Sequence, residues 1–495
     1  MHMTPTATEA SSSRASPTPR AVITTSSISA AEVADRCGDN CYSYYFVQRA
    51  FLPLLERWAA VEEVSQSPRV VRERIVAAKR LGQSPIHLSF LPLQFARAVS
   101  EAPNVVFPFW EYPDIPHYDV AGNPRNNWVR AATEFDMILT ACRFTRDAFL
   151  RAGVRTPIHV TPVPIADDYF ALPPWEPHQR VTLEGACYVL PQGDPTRLGD
   201  LARLAAGRLG LKVREKCRLA YRRGVRPFLP PSLHRRLAGA SHATIGKEPP
   251  PVVPVQDQRL PIPYGVSGRV DLAGVVYTTV LNPFDIRKNW RGIIAAFLHA
   301  LGDCEDATLV IKLAAASNMR REALHNVLHY YRRLRVRHRA QLVVMGDYLS
   351  DDQMCELARA STFYLNASHA EGACLPLQDA LAAGRPGIAP QHTAMAEYID
   401  DRVAFVVPSH AEPIHWQWDP QCRRTTTWQQ IRRRHLVRQL QLSYQVAKHD
   451  LGRYRALAAE GRQRMRNLAS ADEVWRRLSA ALDTLPTTRE VKKAA

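Results

Sequence analysis

Short apolar runs of strand length alternate along this chain with longer segments whose apolar residues recur at helical spacing. The runs of the N-terminal third are 21–25, 85–91, 104–110, 136–141 and 158–165. Those of the C-terminal half are 275–281, 307–315, 341–346 and 362–365. Strands that alternate with helices in this way are joined by parallel crossovers. The pattern therefore predicts an α/β protein with two doubly wound sheets, whose ligands bind beyond the carboxyl ends of the strands.

The same pattern divides the chain into five predicted regions. A tail rich in Ser, Thr, Ala and Pro is expected to be disordered, and a Pro-rich, basic helical insertion or linker separates two α/β domains. A C-terminal helix and tail follow the second domain. The predicted regions are the tail 1–20, the first domain 21–167, the insertion 168–265, the second domain 266–470 and the final helix and tail 471–495.

The insertion contains a strongly basic stretch at 198–238, in which leucines are interleaved with Arg and Lys. The stretch is typical of one or two basic, partly amphipathic helices. A membrane surface is a candidate partner, and the alternative is a solvated insertion. Nucleic-acid binding is not expected because few aromatic residues accompany the charges.

Bulk composition places the chain among soluble globular proteins. It has 495 residues, of which 46% are apolar, so a sizeable core can form. The sequence lacks an apolar run of about 18 residues and a secretory signal pattern. Its nine Cys residues are dispersed, without a Cys-x-x-Cys pair, which favours a reducing cytoplasm over a disulfide framework or a zinc site. A cytoplasmic protein is expected, with the inner face of the cell membrane as a candidate location.

The formal net charge is +17, but its composition weakens the inference of nucleic acid as a partner. Nine of the 64 basic residues are Lys and the rest are Arg. An Arg-rich, Ala-rich chain is what a GC-rich genome encodes without any binding role. A basic surface also suits anionic small ligands or an anionic membrane face.

The stretch 362–390 carries the densest candidate chemistry. It predicts a strand, a polar loop that ends near Glu371, and a helix that contains Asp379. A helix that begins near residue 373 directs its free N–H groups and positive dipole end at the loop, which favours an anion such as phosphate. Two carboxylates beside a phosphate suit the hydroxyls of a ribose and of a sugar. The alternative is an ordinary βα unit with solvated acids.

Glu371, Gly372, Pro376 and Asp379, followed by Ala-Ala-Gly-x-Pro at 382–386, resemble the E-x7-E element of the retaining GT-B glycosyltransferases of group 1, in the glycogen-synthase-like superfamily. The element here is E-x7-D, and Cys374 stands where the family usually has a second Gly. The resemblance implies that Glu371 binds hydroxyls of the donor sugar and that Asp379 binds the ribose. The backbone beside Gly372, Cys374 and Leu375 is expected to face the diphosphate.

Two further stretches resemble the same family. FPFWEYPDIP at 107–116 places Glu111 where family members often have a sugar-contacting His, so a sugar-contacting or acceptor-orienting role is predicted; the alternative is a surface acid. NPFDIRKNW at 282–290 places Lys288 at the family's phosphate-binding Lys and Asn282 near its Arg, with Arg287 as a helper. Lys312 is a second candidate cation, and its alternative is a snorkelling strand residue.

The resemblance covers about 21–167 and 270–485. It implies a GT-B fold, transfer of a sugar from a nucleotide-sugar to a glycan or lipid-linked acceptor in cell-surface polysaccharide synthesis, and a final helix that packs on the first domain. No metal or other cofactor is expected, because no Asp-x-Asp follows an apolar strand. The alternatives are an inverting GT-B enzyme, a catalytically silent binding protein, and a nucleic-acid-associated protein supported only by charge.

Overall fold

The computed structural model describes residues 19–39, 41–190, 266–416, 419, 422 and 424–486. Most of the predicted disordered tail and the whole basic stretch 198–238 lie outside the described residues. Among the helices that are described, none has the length and apolar character needed to cross a membrane.

The first domain is built on a parallel sheet with the strand order β2-β1-β3-β4-β5-β6. Strand β4 is shorter than its apolar run because Pro108 has no N–H to donate to a ladder. The strands are β1 Arg20–Ser26, β2 Ala60–Val64, β3 Ser84–Phe90, β4 Asn104–Val106, β5 Met137–Thr140 and β6 Ile158–Val160. The helices are α1 Val33–Arg36, α2 Ser43–Glu56, α3 Pro68–Arg80, α4 Trp128–Ala132, α5 Arg143–Arg151 and α6 Asp167–Ala171.

The second domain is built on a larger sheet with the order β14-β13-β12-β9-β10-β11-β7-β8, in which β9 to β14 run parallel. The strands are β7 Arg180–Leu190, β8 Ser267–Ala273, β9 Val275–Leu281, β10 Ala307–Leu313, β11 Gln341–Met345, β12 Phe363–Leu365, β13 Gly387–Ala389 and β14 Ala404–Val406. The helices are α7 Trp290–Leu301, α8 Arg320–Leu334, α9 Asp351–Ala360, α10 Leu375–Ala382, α11 Arg433–His449, α12 Leu451–Ala469 and α13 Ala471–Leu482.

Strand β7 departs from the predicted division of the chain. It lies within 168–265, yet it pairs antiparallel with β11 and with β8. Val181, Leu183 and Cys187 of β7 are buried in one cluster with Val310 and Val343 of the second domain. The second sheet therefore takes strands from both sides of the segment 191–265.

A two-stranded antiparallel hairpin follows β14 and was not predicted. Its strands are β15 Ser409–His415 and β16 Thr425–Ile431. Most side chains of β15 are exposed, so the strand lacks the alternation that marks a half-buried strand in a sequence.

The final helix α13 packs on the first domain, as the family resemblance implies. Val474 and Leu478 are buried in one cluster with Val22 of β1 and Leu55 of α2. The side chain of Arg20 also donates to Asp483 over 3.1 Å. The chain therefore returns from the second domain to close the core of the first.

Candidate functional site

The loop between β12 and α10 lies at the carboxyl edge of the second sheet and carries Glu371. Its side chain is almost fully buried, at 5% exposure. Nζ of Lys288 donates to Oε1 of Glu371 over 2.7 Å. Lys288 ends a short 3₁₀ turn, Ile286–Lys288, that follows β9, the strand adjacent to β12. Adjacent parallel strands thus bring the two sequence-predicted residues together.

This ion pair sets the charge of both groups. Burial would raise the pKa of Glu371, but the positive charges of Lys288 and Arg287 hold it below its usual value. Burial would lower the pKa of Lys288, but the charge of Glu371 raises it. At neutral pH the pair is ionised, and each group neutralises the other.

Arg287 connects the two domains. Its guanidinium contacts Glu111 of the first domain at 3.0 Å and Asp285 at 2.7 Å, and its own carbonyl accepts the N–H of His369 at 2.8 Å. The carboxylates raise the pKa of Arg287 against the opposing effect of its burial. Glu111 is therefore an ion-pair partner across the cleft in this structure, and the surface-acid alternative does not describe it.

Helix α10 begins with an unusual backbone conformation. Cys374, which precedes it, has φ 62° and ψ 58°, in the left-handed region where glycine is favoured. Its Sγ accepts from Nδ2 of Asn366 at 3.0 Å. In the described part of the chain, the N–H groups of Cys374 and Leu375 donate to no protein acceptor. The helix start therefore has free donors where the sequence predicts diphosphate contacts.

Gly372 permits close approach of the two domains. A Cβ at this position would lie 3.2 Å from the carbonyl oxygen of Trp110, and the Gly372 carbonyl accepts from Sγ of Cys142 over 3.3 Å. The loop is thus packed directly on the first domain. This contact differs from the diphosphate-facing role predicted for Gly372.

Asp379 lies apart from this cluster. It faces a small pocket whose lining includes Tyr169, Thr278 and Tyr364, and no hydrogen bond to its carboxylate occurs among the described residues. Burial, with a smaller contribution from Asp351, raises the pKa of Asp379 to about 7. The second carboxylate of the motif is therefore partly protonated near neutral pH.

Two other predicted residues donate hydrogen bonds to backbone carbonyls of the protein, and one of these bonds joins the two domains. Nδ2 of Asn282 donates to the carbonyl of Gly38, in the loop between α1 and α2, over 2.8 Å. Lys312 is 4% exposed and donates to the carbonyl of Leu313 over 2.6 Å, so it does not snorkel to solvent. Burial lowers the pKa of Lys312 to about 8.

Sequence reasoning missed several residues that border the cluster. Asp285 pairs with Arg287, and its position two residues earlier in a turn was the available signal. The hydroxyl of Tyr112 is buried and lacks a partner within the described residues. No group of three or more His, Cys, Asp or Glu suited to a metal occurs in the part of the chain that the structure describes.

The β15–β16 hairpin joins this region to the first domain. Gln429 and His369 exchange hydrogen bonds, at 2.8 Å from N–H to carbonyl and 2.9 Å between Nδ1 and carbonyl. At the far side, Thr426 donates to Asp114 over 2.7 Å, and Arg424 pairs with the same carboxylate. The hairpin therefore holds both the Glu371 loop and the first-domain loop that follows Glu111.

Among solved structures, the chain is similar to the apo structure of OtsA, with a TM-score of 0.52 and 11% identity, over 94% of this chain and 100% of that chain. The chain has the GT-B fold. The predicted fold class, two doubly wound domains that face a cleft, is confirmed. In the GT-B arrangement the paired Glu371 and Lys288 lie at the carboxyl edge that faces the first domain.

Other solved structures show weaker similarity to this GT-B chain. Anabaena HepE in complex with UDP and glucose has a TM-score of 0.49 and 12% identity, over 94% of this chain and 100% of that chain. Sucrose-phosphate synthase from Thermosynechococcus elongatus also has a TM-score of 0.49 and 12% identity, over 94% of this chain and 98% of that chain. No protein-family model and no curated protein matches the sequence.

Proposed function

We propose that this protein is a glycosyltransferase that transfers a sugar from a nucleotide-sugar donor to a glycan or lipid-linked acceptor. The observation that carries the proposal is the buried Lys288–Glu371 ion pair beside the free N–H groups at the start of α10, at the domain interface of a GT-B fold. The proposed reaction proceeds with retention and without a metal, in cell-surface polysaccharide synthesis.

The charges of the cluster support exchange of partners when a donor binds. Arg287 and Lys288 supply two cations, and Glu111, Asp285 and Glu371 supply three carboxylates. A diphosphate competes with Glu371 for Lys288, and the carboxylate that is released can accept hydrogen bonds from sugar hydroxyls. The positive charge of Lys288 and the free N–H groups of Cys374 and Leu375 then neutralise the leaving nucleotide.

Asp379 supports a separate contact with the ribose. Its carboxylate is half-buried and makes no hydrogen bond among the described residues, and two ribose hydroxyls can donate hydrogen bonds to it. The pocket at Asp379 borders α10 through Pro376 and Ala380. One nucleotide can therefore contact both the start of α10 and Asp379. In this proposal Asp379 binds the ribose and Glu371 binds the sugar.

Glu111 is the candidate acceptor-orienting residue because its ion pair with Arg287 places a first-domain carboxylate beside the donor cations. The basic stretch 198–238, outside the described residues, is the candidate contact with an anionic inner membrane face. If so, deletion of 198–238 reduces binding to vesicles that contain phosphatidylglycerol and leaves donor binding unchanged.

A donor screen tests the function directly. Ligand-detected NMR with a panel of UDP-, ADP- and GDP-sugars should identify at least one donor, and the protein should release the nucleoside diphosphate from it when a glycan or lipid acceptor extract is present. Release should continue in EDTA, and the anomeric configuration of the product should match that of the donor. A panel in which no nucleotide-sugar binds and none releases its nucleoside diphosphate would contradict the proposed enzymatic function. Binding without release would support a catalytically silent protein.

A further inference from the structure

The loop that follows β13 holds the backbone of Glu371 on both sides. The Glu371 N–H donates to Oγ1 of Thr393 over 3.1 Å, and the Glu371 carbonyl accepts the N–H of Ala394 at 3.3 Å. Thr393 has φ 50°, a left-handed conformation that is strained for a β-branched residue. Strain of this kind is retained where the surrounding structure enforces it, often at binding sites.

The residue before Thr393 has an unsatisfied polar atom. His392 is 6% exposed, and its Nδ1 lies 3.2 Å from Oγ1 of Thr393. Its Nε2 is buried and has no hydrogen-bond partner in the described part of the chain. Buried polar atoms without a partner are rare, so this one requires an explanation.

Two arrangements satisfy the contact between Thr393 and Nδ1 of His392, because Oγ1 accepts the N–H of Glu371 and keeps both a second lone pair and its own proton. When Oγ1 donates its proton to Nδ1, the neutral ring carries its proton on Nε2. Burial lowers the pKa of His392 to about 4, so the ring is neutral at pH 7, and in this tautomer Nε2–H is an unused donor.

Among the described residues, His392 is the one histidine with a buried ring nitrogen that lacks a hydrogen-bond partner. Nε2 of His338 pairs with the hydroxyl of Tyr331 at 2.6 Å, and its Nδ1 lies 2.7 Å from the carbonyl of Ala340. His87 in the first domain pairs with Asn104 at 3.0 Å and with Ser89 at 3.2 Å. The unpaired nitrogen is thus specific to the histidine that borders Glu371.

We propose that Nε2–H of His392 donates a hydrogen bond to a hydroxyl oxygen of the transferred sugar, which makes His392 a residue that determines donor specificity. The inference rests on the proposed function, because it places the sugar beside Glu371. A neutral N–H suits a sugar hydroxyl, which presents lone pairs and no charge. Nε2–H of His392 and the carboxylate of Glu371 then bind different hydroxyls of the same sugar ring.

The test compares the best substrate of the donor panel with its deoxy analogues, one for each ring hydroxyl. In the wild-type protein, one analogue should lose at least about tenfold in kcat/KM, because a site built to hydrogen-bond a hydroxyl rejects the compound that lacks it. His392→Phe keeps a planar ring and removes the hydrogen-bonding N–H. This variant should lose activity on the parent nucleotide-sugar and no longer discriminate against that one analogue. His338→Phe, the matched control, should keep the wild-type preference among analogues.

A second measurement does not depend on a folded variant. Long-range ¹⁵N–¹H NMR of the wild-type protein should show His392 as a neutral Nε2–H tautomer whose Nε2 signal shifts when the parent donor is added and not when the bare nucleoside diphosphate is added. The inference would be overturned if His392→Phe lost kcat/KM equally for all analogues, or if the Nε2 signal did not shift with the parent nucleotide-sugar. Either result would leave the proposed glycosyltransferase function intact. Absence of any donor turnover by the wild-type protein would overturn both.

Discussion

Glu371 and Asp379 belong to the same loop and helix, but the protein treats the two carboxylates differently. Glu371 is paired with Lys288 at 2.7 Å and its pKa is lowered by the positive charges around it. Asp379 has no partner among the described residues, and burial raises its pKa to about 7. One is satisfied by the protein itself, and the other is left for a ligand or a proton.

The difference shows that neighbouring strands, and not the motif, decide the charge of each acid. The loop after β9 delivers Lys288 to Glu371 because β9 and β12 are adjacent. Asp379 projects from the body of α10 into a pocket lined largely by apolar side chains and two tyrosines. In the proposed function, donor binding therefore breaks an existing ion pair at Glu371, whereas at Asp379 it adds hydrogen bonds to a carboxylate that has no partner among the described residues.

The largest expected effect is on catalysis at Glu371. Glu371→Gln keeps the shape of the side chain but removes the charge that Lys288 faces and weakens the acceptor for sugar hydroxyls. Nucleoside diphosphate release with the best donor should fall about 100-fold or more. Glu305→Gln, at an exposed ion pair with Arg339, is the control and should retain wild-type release. Equal rates in the two variants would remove Glu371 from the site.

The next effect is on stability and affinity at Lys288. Lys288→Ala leaves the buried Glu371 without its hydrogen-bonded cation, so the free energy of unfolding should fall by about 3 kcal/mol, and donor affinity should fall at least about tenfold. Lys448→Ala, which breaks a half-exposed pair with Asp306, should cost about 1 kcal/mol or less. Urea unfolding and NMR titration measure both quantities.

A double variant sharpens this result. Lys288→Ala combined with Glu371→Gln removes both charges, so it should recover part of the stability that Lys288→Ala alone loses. Strictly additive losses in the double variant would mean that the two side chains are not coupled in solution.

Asp379 should make the stability of the folded protein decrease as the pH rises. The folded protein binds this proton more tightly than the unfolded chain, so the wild-type protein loses stability as pH rises from about 4 through about 7. Asp379→Asn removes this loss and should be about 2 kcal/mol more stable than wild type at pH about 8, with no gain at pH about 4. Chemical unfolding at both pH values measures the difference.

The control for this prediction is Asp401→Asn, which changes an exposed carboxylate. Its stability should follow the wild-type curve at both pH values. In the same experiment Asp379→Asn should weaken donor binding, because an amide accepts fewer hydrogen bonds from the ribose than a carboxylate. If Asp379→Asn is stabilised and still binds the nucleotide-sugar with wild-type affinity, Asp379 does not bind the ribose.

The smallest effect is expected at Glu111. Glu111→Gln weakens one of the two carboxylate contacts of Arg287 and leaves the pair with Asp285 intact. Donor affinity and turnover should each change by less than about tenfold, since an amide can still accept from the guanidinium. A loss of turnover as large as that of Glu371→Gln would indicate that Glu111 contacts the reacting sugar directly.

Periodicity predicted most of the parallel strands because most of them are apolar runs bounded by turn residues; β2, which contains Glu62 and Glu63, is an exception. β9, for example, matches the run 275–281. Strand β7 was missed although its residues alternate as in a half-buried strand, and the hairpin could not be predicted from periodicity because its first strand is mostly exposed. Pairing partners far apart in the chain decide such strands, and local pattern does not record them.

The site was predictable to the same limit. A resemblance placed Glu371 and Lys288 in one site, and the structure brings them into contact. It could not reveal that Asn282 donates to the Gly38 carbonyl or that Nε2 of His392 lacks a partner among the described residues. Those properties depend on the exact approach of loops from different strands and domains.

The hairpin 409–431 has a consequence for the motion of the molecule. Its contacts with Asp114, together with the packing of Trp416 against Trp110 at 5.6 Å, fix one edge of the cleft. Separation at this edge would expose tryptophan rings and strip Asp114 of its partners, whereas rotation about it preserves them. The hairpin therefore restrains separation of the two domains at this edge, so we expect the cleft to open at the edge opposite to it.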